Sequence, residues 1–355
     1  MSKRGDVHVS VVVACRNEIK HIHRFLDSVF AQDVAGIHVE VLVADGLSED
    51  GTRVVLEQFQ RVMPVLRVID NPGRIASTGL NRAIREATGE IIIRMDAHTE
   101  YAPDYIRRCL EVLDETKADN VGGPVLTRAD GYMAQAIALA YHTRFACGGT
   151  KAHDTQFEGF VDSVTYGCWR KSTLERVGLF DESLYRSQDD ELNRRIRGAG
   201  GKVYQSPKIT SWYRPRATLN TLFHQYFQYG FWKVSVSRKH RKVASVRHLI
   251  PAGCVSIGLT LLAGAAGATL ESSVRWQSIF LTIAAGLAGL YFIASTVAAI
   301  LVARRSGWCF FRALPIVFAT YHLSYGMGFL LGLTYNPMTW HRPSSLRKTL
   351  TVITR

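Results

Sequence analysis

Gly89-Glu90-Ile91-Ile92-Ile93-Arg94-Met95-Asp96-Ala97-His98 is a run of β-forming residues that closes on a carboxylate and an imidazole. A similar run lies upstream, where Val39-Glu40-Val41-Leu42-Val43-Ala44 ends at Asp45. Downstream, Asp189-Asp190 opens a segment of helical character, Glu191-Leu192-Asn193-Arg194-Arg195-Ile196. Open α/β sheets gather their ligand chemistry at the carboxyl ends of the strands. Carboxylates placed there suit a nucleotide, a divalent metal and a general base.

On either side of the first run, strand and helix alternate up to about residue 215. Val9-Ser10-Val11-Val12-Val13-Ala14 is almost continuously apolar, as buried parallel strands are. Ile22, Phe25, Leu26, Val29 and Phe30 recur at helical spacing, and Ser48-Glu49-Asp50-Gly51-Thr52 caps a helix through Val62. Val65–Ile69 predicts a third strand, closed by the turn Asp70-Asn71-Pro72-Gly73, and Ala76–Ala87 a helix. Such repeated βα units imply a mostly parallel, right-handed sheet with helices on both faces. Beyond residue 100 the pattern is less regular. Helices are expected over Tyr105–Thr116 and Met133–Phe145, and a polar loop over Gly148–Gly159.

After Arg247 the composition changes. Ile250–Leu270 and Ser278–Ala303 carry no charge, and Leu314–Tyr335 is apolar with glycines at 326, 328 and 332. Twenty-odd apolar residues form a helix of about 30 Å, the thickness of a bilayer core. At least two of these segments are expected to span a membrane. Arg238–Arg247 and Arg304-Arg305-Arg312 should then face the cytoplasm, with Glu271–Arg275 a short outside loop. A third full span would put Arg342, Arg347, Lys348 and Arg355 outside, against the charge rule, so either that segment is re-entrant or the rule fails. The division expected is a catalytic domain over 1–215, an interfacial linker over 216–247, a transmembrane region over 248–340 and a basic tail over 341–355.

The net charge of +13 favours anionic partners. Its basic run Arg238-Lys239-His240-Arg241-Lys242 borders an apolar region, which favours a membrane surface over nucleic acid. Six cysteines without CxxC or zinc spacing read as reduced, mostly buried thiols. No apolar signal-peptide core precedes the first strand.

Asp45-Gly46 follows a buried-type strand and precedes a helix, so its carboxylate can reach a ribose or base. The first turn, Ala14-Cys15-Arg16-Asn17-Glu18, lacks the GxGxxG of a dinucleotide site, which disfavours a redox domain. Asp96 and His98 can face one divalent ion. The pair Asp189-Asp190 raises one carboxyl pKa if partly buried, as suits a general base, although taken alone acidic residues at a solvated helix start account for it better. Trp169 reads either as a platform for a sugar face or as a core residue. The aromatic-rich Leu219–Val234 reads as an interfacial amphipathic helix.

In collinear order, Val11–Glu18, Ala44–Thr52, Asn81–Ile84, Gly89–His98, Val177–Glu182 and Gln188–Asn193 resemble the inverting family 2 glycosyltransferases of GT-A fold. Asp96-Ala97-His98, Gly122-Gly123-Pro124 and the C-terminal apolar segments are most similar to the succinoglycan-type exopolysaccharide glucosyltransferases. The resemblance implies a Rossmann-like nucleotide-sugar domain followed by transmembrane helices. It implies that Glu18 and Asp45 contact uridine and that Asn17 shapes the first loop. Arg74 and Asn81 would lie near the nucleotide and the sugar diphosphate, and Asp96 and His98 would bind Mg2+ or Mn2+. Asp189 takes the position of the family base, with Asp190 in reserve. Ala14 replaces a common proline, Gln188 a common acid, and His98 the second Asp of DxD, which leaves the metal open. No QxxRW follows the base, which argues against a processive polymerase.

The expected activity is transfer of a hexose, with UDP-glucose the favoured donor, to a polyprenyl-diphosphate-linked acceptor in bacterial cell-surface polysaccharide synthesis. The protein is expected in the inner membrane with its catalytic domain cytoplasmic. Membrane lipid is an expected partner and nucleic acid is not. Two rivals stand beside this reading: a polyprenyl-phosphate glycosyltransferase, and a catalytically silent scaffold that binds nucleotide sugar.

Overall fold

The structure is a computed structural model that describes residues 7–240 and 246–334. Met1–Asp6, Arg241 and Lys242 of the basic run, and the tail 341–355 lie outside the described residues. The chain divides into two compact units, one of residues 1–128 with 151–214 and the other of 129–150 with 215–355. Within the second unit, the helices of 129–150 pack with C-terminal ones.

In the first unit, strands β1 (Val7–Cys15), β2 (Ile37–Asp45), β3 (Leu66–Asp70) and β4 (Ile91–Asp96) alternate with helices α1 (Ile22–Phe30), α2 (Thr52–Val62) and α3 (Ala76–Glu86). The short β5 (Thr99–Tyr101) leads into α4 (Tyr105–Thr116), β6 (Asn120–Gly122) and β7 (Val125–Thr127). In the second unit, α5 (Tyr132–Tyr141) and α6 (Arg144–Cys147) divide the single helix expected there. Back in the first, β8 (Gly159–Phe160), β9 (Cys168–Arg170), α7 (Lys171–Val177), α8 (Gln188–Gly198), β10 (Val203–Gln205) and β11 (Ser211–Tyr213) follow.

The main sheet has the order β3-β2-β1-β4-β9-β6-β10-β8. β1 runs parallel to both β2 and β4, β2 parallel to β3, and β6 parallel to β10. β9 is antiparallel to β4 and β6, and β8 to β10. A second sheet of order β5-β11-β7 stands apart. Alternate residues of the central strands bury on opposite faces: Val9, Val11 and Val13 in one core with α1 and α4, Val12 and Ile92 in another with α3 and α8. A strand buried on both faces needs no polar side, which is why these segments read as apolar runs.

The C-terminal part of the second unit comprises α9 (Leu219–Lys239), α10 (Ile250–Leu270), α11 (Val274–Ser306) and α12 (Leu314–Thr334). Among the described residues, three stretches are long and apolar enough to cross a membrane: Val246–Leu270, Val274–Ser306 and Leu314–Thr334. On one face α9 buries Leu222, Gly230, Phe231, Val234 and Val236, and it packs tightly on α12. Of the six free cysteines, Cys15, Cys109 and Cys168 are buried and Cys147 half-buried, whereas Cys254 and Cys309 are exposed.

Glycines set the approach of α9 and α12. A Cβ at Gly328 would stand 1.9 Å from the Phe227 carbonyl oxygen, and one at Gly230 2.1 Å from that of Tyr325. Small residues at such contacts let helix backbones meet. Gly328→Ala is therefore expected to force the pair apart and cost about 1–3 kcal/mol. Gly253→Ala on α10, where a Cβ meets nothing within 4 Å, is the control expected to leave thermal unfolding in detergent unchanged.

Candidate active site

Strand register brings the first two acidic positions to one level. Cys15 at the end of β1 pairs with Asp45 of β2, Asp45 in turn with Asp70 of β3, and Ala14 with Asp96 of β4. The loops that leave these strand ends are bent into unusual conformations. Asn17, Leu47, Arg74, Tyr166 and Ser187 all have φ between +55° and +65°, a region that costs non-glycine residues about 1–3 kcal/mol. They belong to the loops after β1, β2 and β3, the turn before β9 and the start of α8. Strained residues that cluster in this way mark a functional cleft.

Asp45 is buried and holds its own loop. Its carboxylate accepts from the backbone N–H and the hydroxyl of Ser48, and Arg53 stands 3.7 Å away. Asn17 ties the first loop to the second: its N–H donates to Ser48 Oγ and its Oδ1 accepts from the Glu49 N–H, both at 2.9 Å. The Glu18 N–H donates to Thr52 Oγ1, while its carboxylate lies 3.5 Å from Nδ1 of His98. Glu18 and His98 thus meet at the rim, beside the Tyr213 ring. Arg74 is exposed at the end of the β3 loop.

At the end of β4, Arg94 is buried and grips Asp96 with two bonds, Nε to Oδ1 at 2.9 Å and Nη2 to Oδ2 at 3.0 Å. The Asp96 N–H donates to the Tyr101 hydroxyl at 2.7 Å. Burial pushes the Asp96 carboxyl up, but Arg94, His98 and Arg186 outweigh it, and its pKa falls below the ordinary value. Asp189, in the first turn of α8, faces the same guanidinium with the opposite result. Burial raises its pKa, Arg94 opposes that, and the charges of Asp190 and Asp96 raise it further, for a net upward shift. The Nη1 of Arg94 is buried without a hydrogen-bond partner in the structure. A charge and hydrogen-bond centre therefore links Asp96 and Asp189.

Two expected ligand contacts take other roles in the structure. Asn81 is buried, and its Nδ2 donates to the Phe180 carbonyl and to Glu182 while its Oδ1 accepts from the Phe180 N–H. It straps the 180–182 segment rather than reaching a diphosphate, because both its donors are used. Trp169 is a core residue, 1% exposed and edge-on to Phe180, so it offers no face to a sugar. Sequence reasoning missed Arg94, although a lone cation inside an apolar buried strand was a visible signal. It also missed Asn71, which is buried and bonds Ile75 and Thr78 to close the loop before α3.

Among the described residues, no three His, Cys, Asp or Glu side chains gather to hold an ion. Asp96 and His98 remain a two-ligand set. That number fits a divalent ion shared with a diphosphate, since Mg2+ is usually held by one or two carboxylates plus substrate phosphates. Each Asp96 oxygen keeps a second lone pair beyond its bond to Arg94.

A mostly parallel sheet with carboxylates at its strand ends and a smaller sheet beside it is the GT-A glycosyltransferase fold. Residues 10–176 match the family model described as "Glycosyl transferase family 2". The succinoglycan biosynthesis protein ExoA of Rhizobium meliloti (strain 1021) is 31% identical over 271 residues, covering 76% of this chain and 79% of that protein. The chain belongs to glycosyl transferase family 2. It is also 25% identical over 333 residues, 92% of its length and 97% of the other's, to a Methanococcus voltae protein. That relative is a dolichyl N-acetyl-alpha-D-glucosaminyl phosphate 3-beta-D-2,3-diacetamido-2,3-dideoxy-beta-D-glucuronosyltransferase. The fold is similar to that of the mannosyltransferase PcManGT from Pyrobaculum calidifontis, solved with GDP-Man and Mn2+. The TM-score is 0.58 at 19% identity, over 91% of this chain and 86% of that one.

The strap role of Asn81 has a direct consequence. Asn81→Ala leaves the Phe180 N–H and carbonyl unpaired, at a cost of about 1–3 kcal/mol. Thermal unfolding should shift accordingly, while UDP affinity by titration calorimetry changes less than about twofold, a loss of under 0.5 kcal/mol.

Proposed function

We propose that the protein is an inverting, membrane-anchored hexosyltransferase that moves a sugar, with glucose expected, from a UDP-sugar to a polyprenyl-diphosphate-linked glycan. The observation that carries this reading is the placement of Asp96 and Asp189 about the buried cation Arg94, with their pKa values pushed apart. Carboxyl groups separated in this way divide labour: one stays ionised, and the other takes up a proton more readily than an ordinary aspartate. Residue by residue, Asp189 accepts the proton of the acceptor hydroxyl. The hydroxyl oxygen then bonds to the anomeric carbon from the face opposite the nucleotide, as the bond to the diphosphate oxygen breaks and UDP leaves. Inversion follows from one displacement, without a covalent enzyme intermediate.

Asp96 and His98 would hold Mg2+ or Mn2+, and such an ion, when bound, neutralises charge on the departing diphosphate. Asn17 and Glu18, fixed to the Ser48–Thr52 loop, shape the nucleotide cleft, and Arg74 lies on its rim. Asp45 supports the uridine side by holding that loop from beneath. The lipid-linked acceptor is supported by the three apolar helices and by the dolichyl-phosphate-linked substrate in the archaeal relative's name. The succinoglycan name of the bacterial relative supports a cell-surface polysaccharide product. We place the catalytic unit on the cytoplasmic side of the bacterial inner membrane, where nucleotide sugars are made.

Asp189→Asn should lower transfer roughly 100- to 10,000-fold while UDP binding is kept, whereas Asp190→Asn should retain most of the rate. Full transfer by folded Asp189→Asn in a radiolabelled sugar assay sinks the assignment. The raised Asp189 pKa also fixes the sign of the pH effect. The free carboxylate, and with it kcat/KM, should be lost as pH falls through a midpoint above the ordinary aspartate value of about 3.9.

A further inference from the structure

We infer that the chain crosses the membrane twice, through α10 and α11, and that α12 lies with α9 in the headgroup layer of one leaflet instead of forming a third span. The inference concerns the second unit and does not depend on the transfer reaction.

Lengths decide the first step. α10 has 21 residues, about 31 Å, and matches a bilayer core of about 30 Å. α11 has 33 residues, about 50 Å. The two are joined by the tight turn at 271–273, and Gly264 of α10 packs on the Phe280 ring of α11. In this hairpin the extra 12 residues of α11, about 18 Å, overhang at its C-terminal end beyond the start of α10. The buried residues of α11 are Ser295, Ala299 and Ala303, all in the overhang, whereas the part paired with α10 has none.

What covers the overhang is α12. Leu314, Val317 and Phe318 pack around Ala299, and nearer the 271–273 turn Tyr291 meets His322 at 2.9 Å. The second half of α12 then passes under the first turns of α10, where a Cβ on Gly326 would meet the Pro251 carbonyl at 2.6 Å. These contacts of α12 with the span hairpin lie around its entry end. A third span would run beside it toward the 271–273 turn.

α9 gives the second, independent constraint. It lies parallel to α12, Tyr226 beside Tyr321 and Phe231 beside Gly332, and Arg238 donates to the Leu333 carbonyl. Two helices packed along their length share one environment. α9 carries His224, Gln225, Gln228, Lys233, Arg238 and Lys239, a set that is costly in a bilayer core and at ease among lipid phosphates. Charge agrees: the second unit has 16 Lys and Arg against Asp130 and Glu271 alone. Two spans keep Arg304, Arg305 and Arg312 on the same side as everything after α12, in accord with the positive-inside rule.

The test uses the full chain in sealed membrane vesicles of both orientations, with Cys254 and Cys309 replaced by Ser. Single reporters Ser272→Cys, Ser306→Cys and Thr334→Cys are labelled with a membrane-impermeant maleimide. Thr334→Cys is expected to label from the side that labels Ser306→Cys, opposite to Ser272→Cys. Labelling of Thr334→Cys from the side of Ser272→Cys overturns the inference. A C-terminal fusion of the unsubstituted chain to a protein that fluoresces only in the cytosol decides the same question without any cysteine change: fluorescence supports two spans, and its loss with intact fusion in the membrane overturns them. Neither readout requires sugar transfer, so failure of the proposed reaction is separately visible.

Discussion

Arg94 sits at the end of an otherwise apolar strand, and its guanidinium is taken out of water with only part of its hydrogen-bonding capacity met. Burying such a charge costs several kcal/mol unless carboxylates compensate it. Asp96 does so through two aligned bonds, and Asp189 through the field across the cleft. One cation shared by two acids produces an asymmetry. The acid that is bonded stays ionised, and the acid that is only nearby is pushed toward its protonated form by burial and by the charge of Asp190.

The loops over this centre are held mostly by hydrogen bonds to backbone and by short polar side chains. Asp45 turns back on Ser48, Asp50 caps Thr52, and Asn17 bridges from the neighbouring loop. These bonds offset the strain of Asn17 and Leu47 in the left-handed region. The consequence is a preformed floor between β1 and β2, so ordering of the first two loops is largely complete before any ligand arrives, which lowers the entropic cost of binding.

Much of this was legible in the chain. The parallel strands announced themselves because burial on both faces leaves no polar alternation, and Asp45 and Asp96 could be placed at strand ends because apolar runs stop abruptly there. The helical start at Gln188 followed from its acidic first turn. Other features were not legible for physical reasons. Asn81 has the composition of a ligand contact, but its partners lie about 100 residues away in sequence, and only the fold reveals that its amide is used. Trp169 was ambiguous because a three-residue strand, β9, is too short to show a period, and its antiparallel insertion beside β4 leaves no local mark. Helix α9 has aromatics nearly all round, so its sequence does not specify which face meets α12; the glycine contacts do.

Charge shows how composition alone can mislead about the site. The whole chain carries +13, yet the first unit holds 27 Lys and Arg against 28 Asp and Glu. All the positive excess belongs to the unit that contains the apolar helices. A catalytic unit near neutrality exerts no long-range pull on a polyanion such as nucleic acid. The nucleotide diphosphate we propose as donor would therefore be recognised by local groups, the buried guanidinium and the proposed Asp96–His98 pair among them. In our reading the excess in the second unit acts among lipid phosphates, within a Debye length of about 8 Å. Membrane attachment and nucleotide recognition, as proposed, draw on different charges, and each can be altered by substitution without changing the charge of the other.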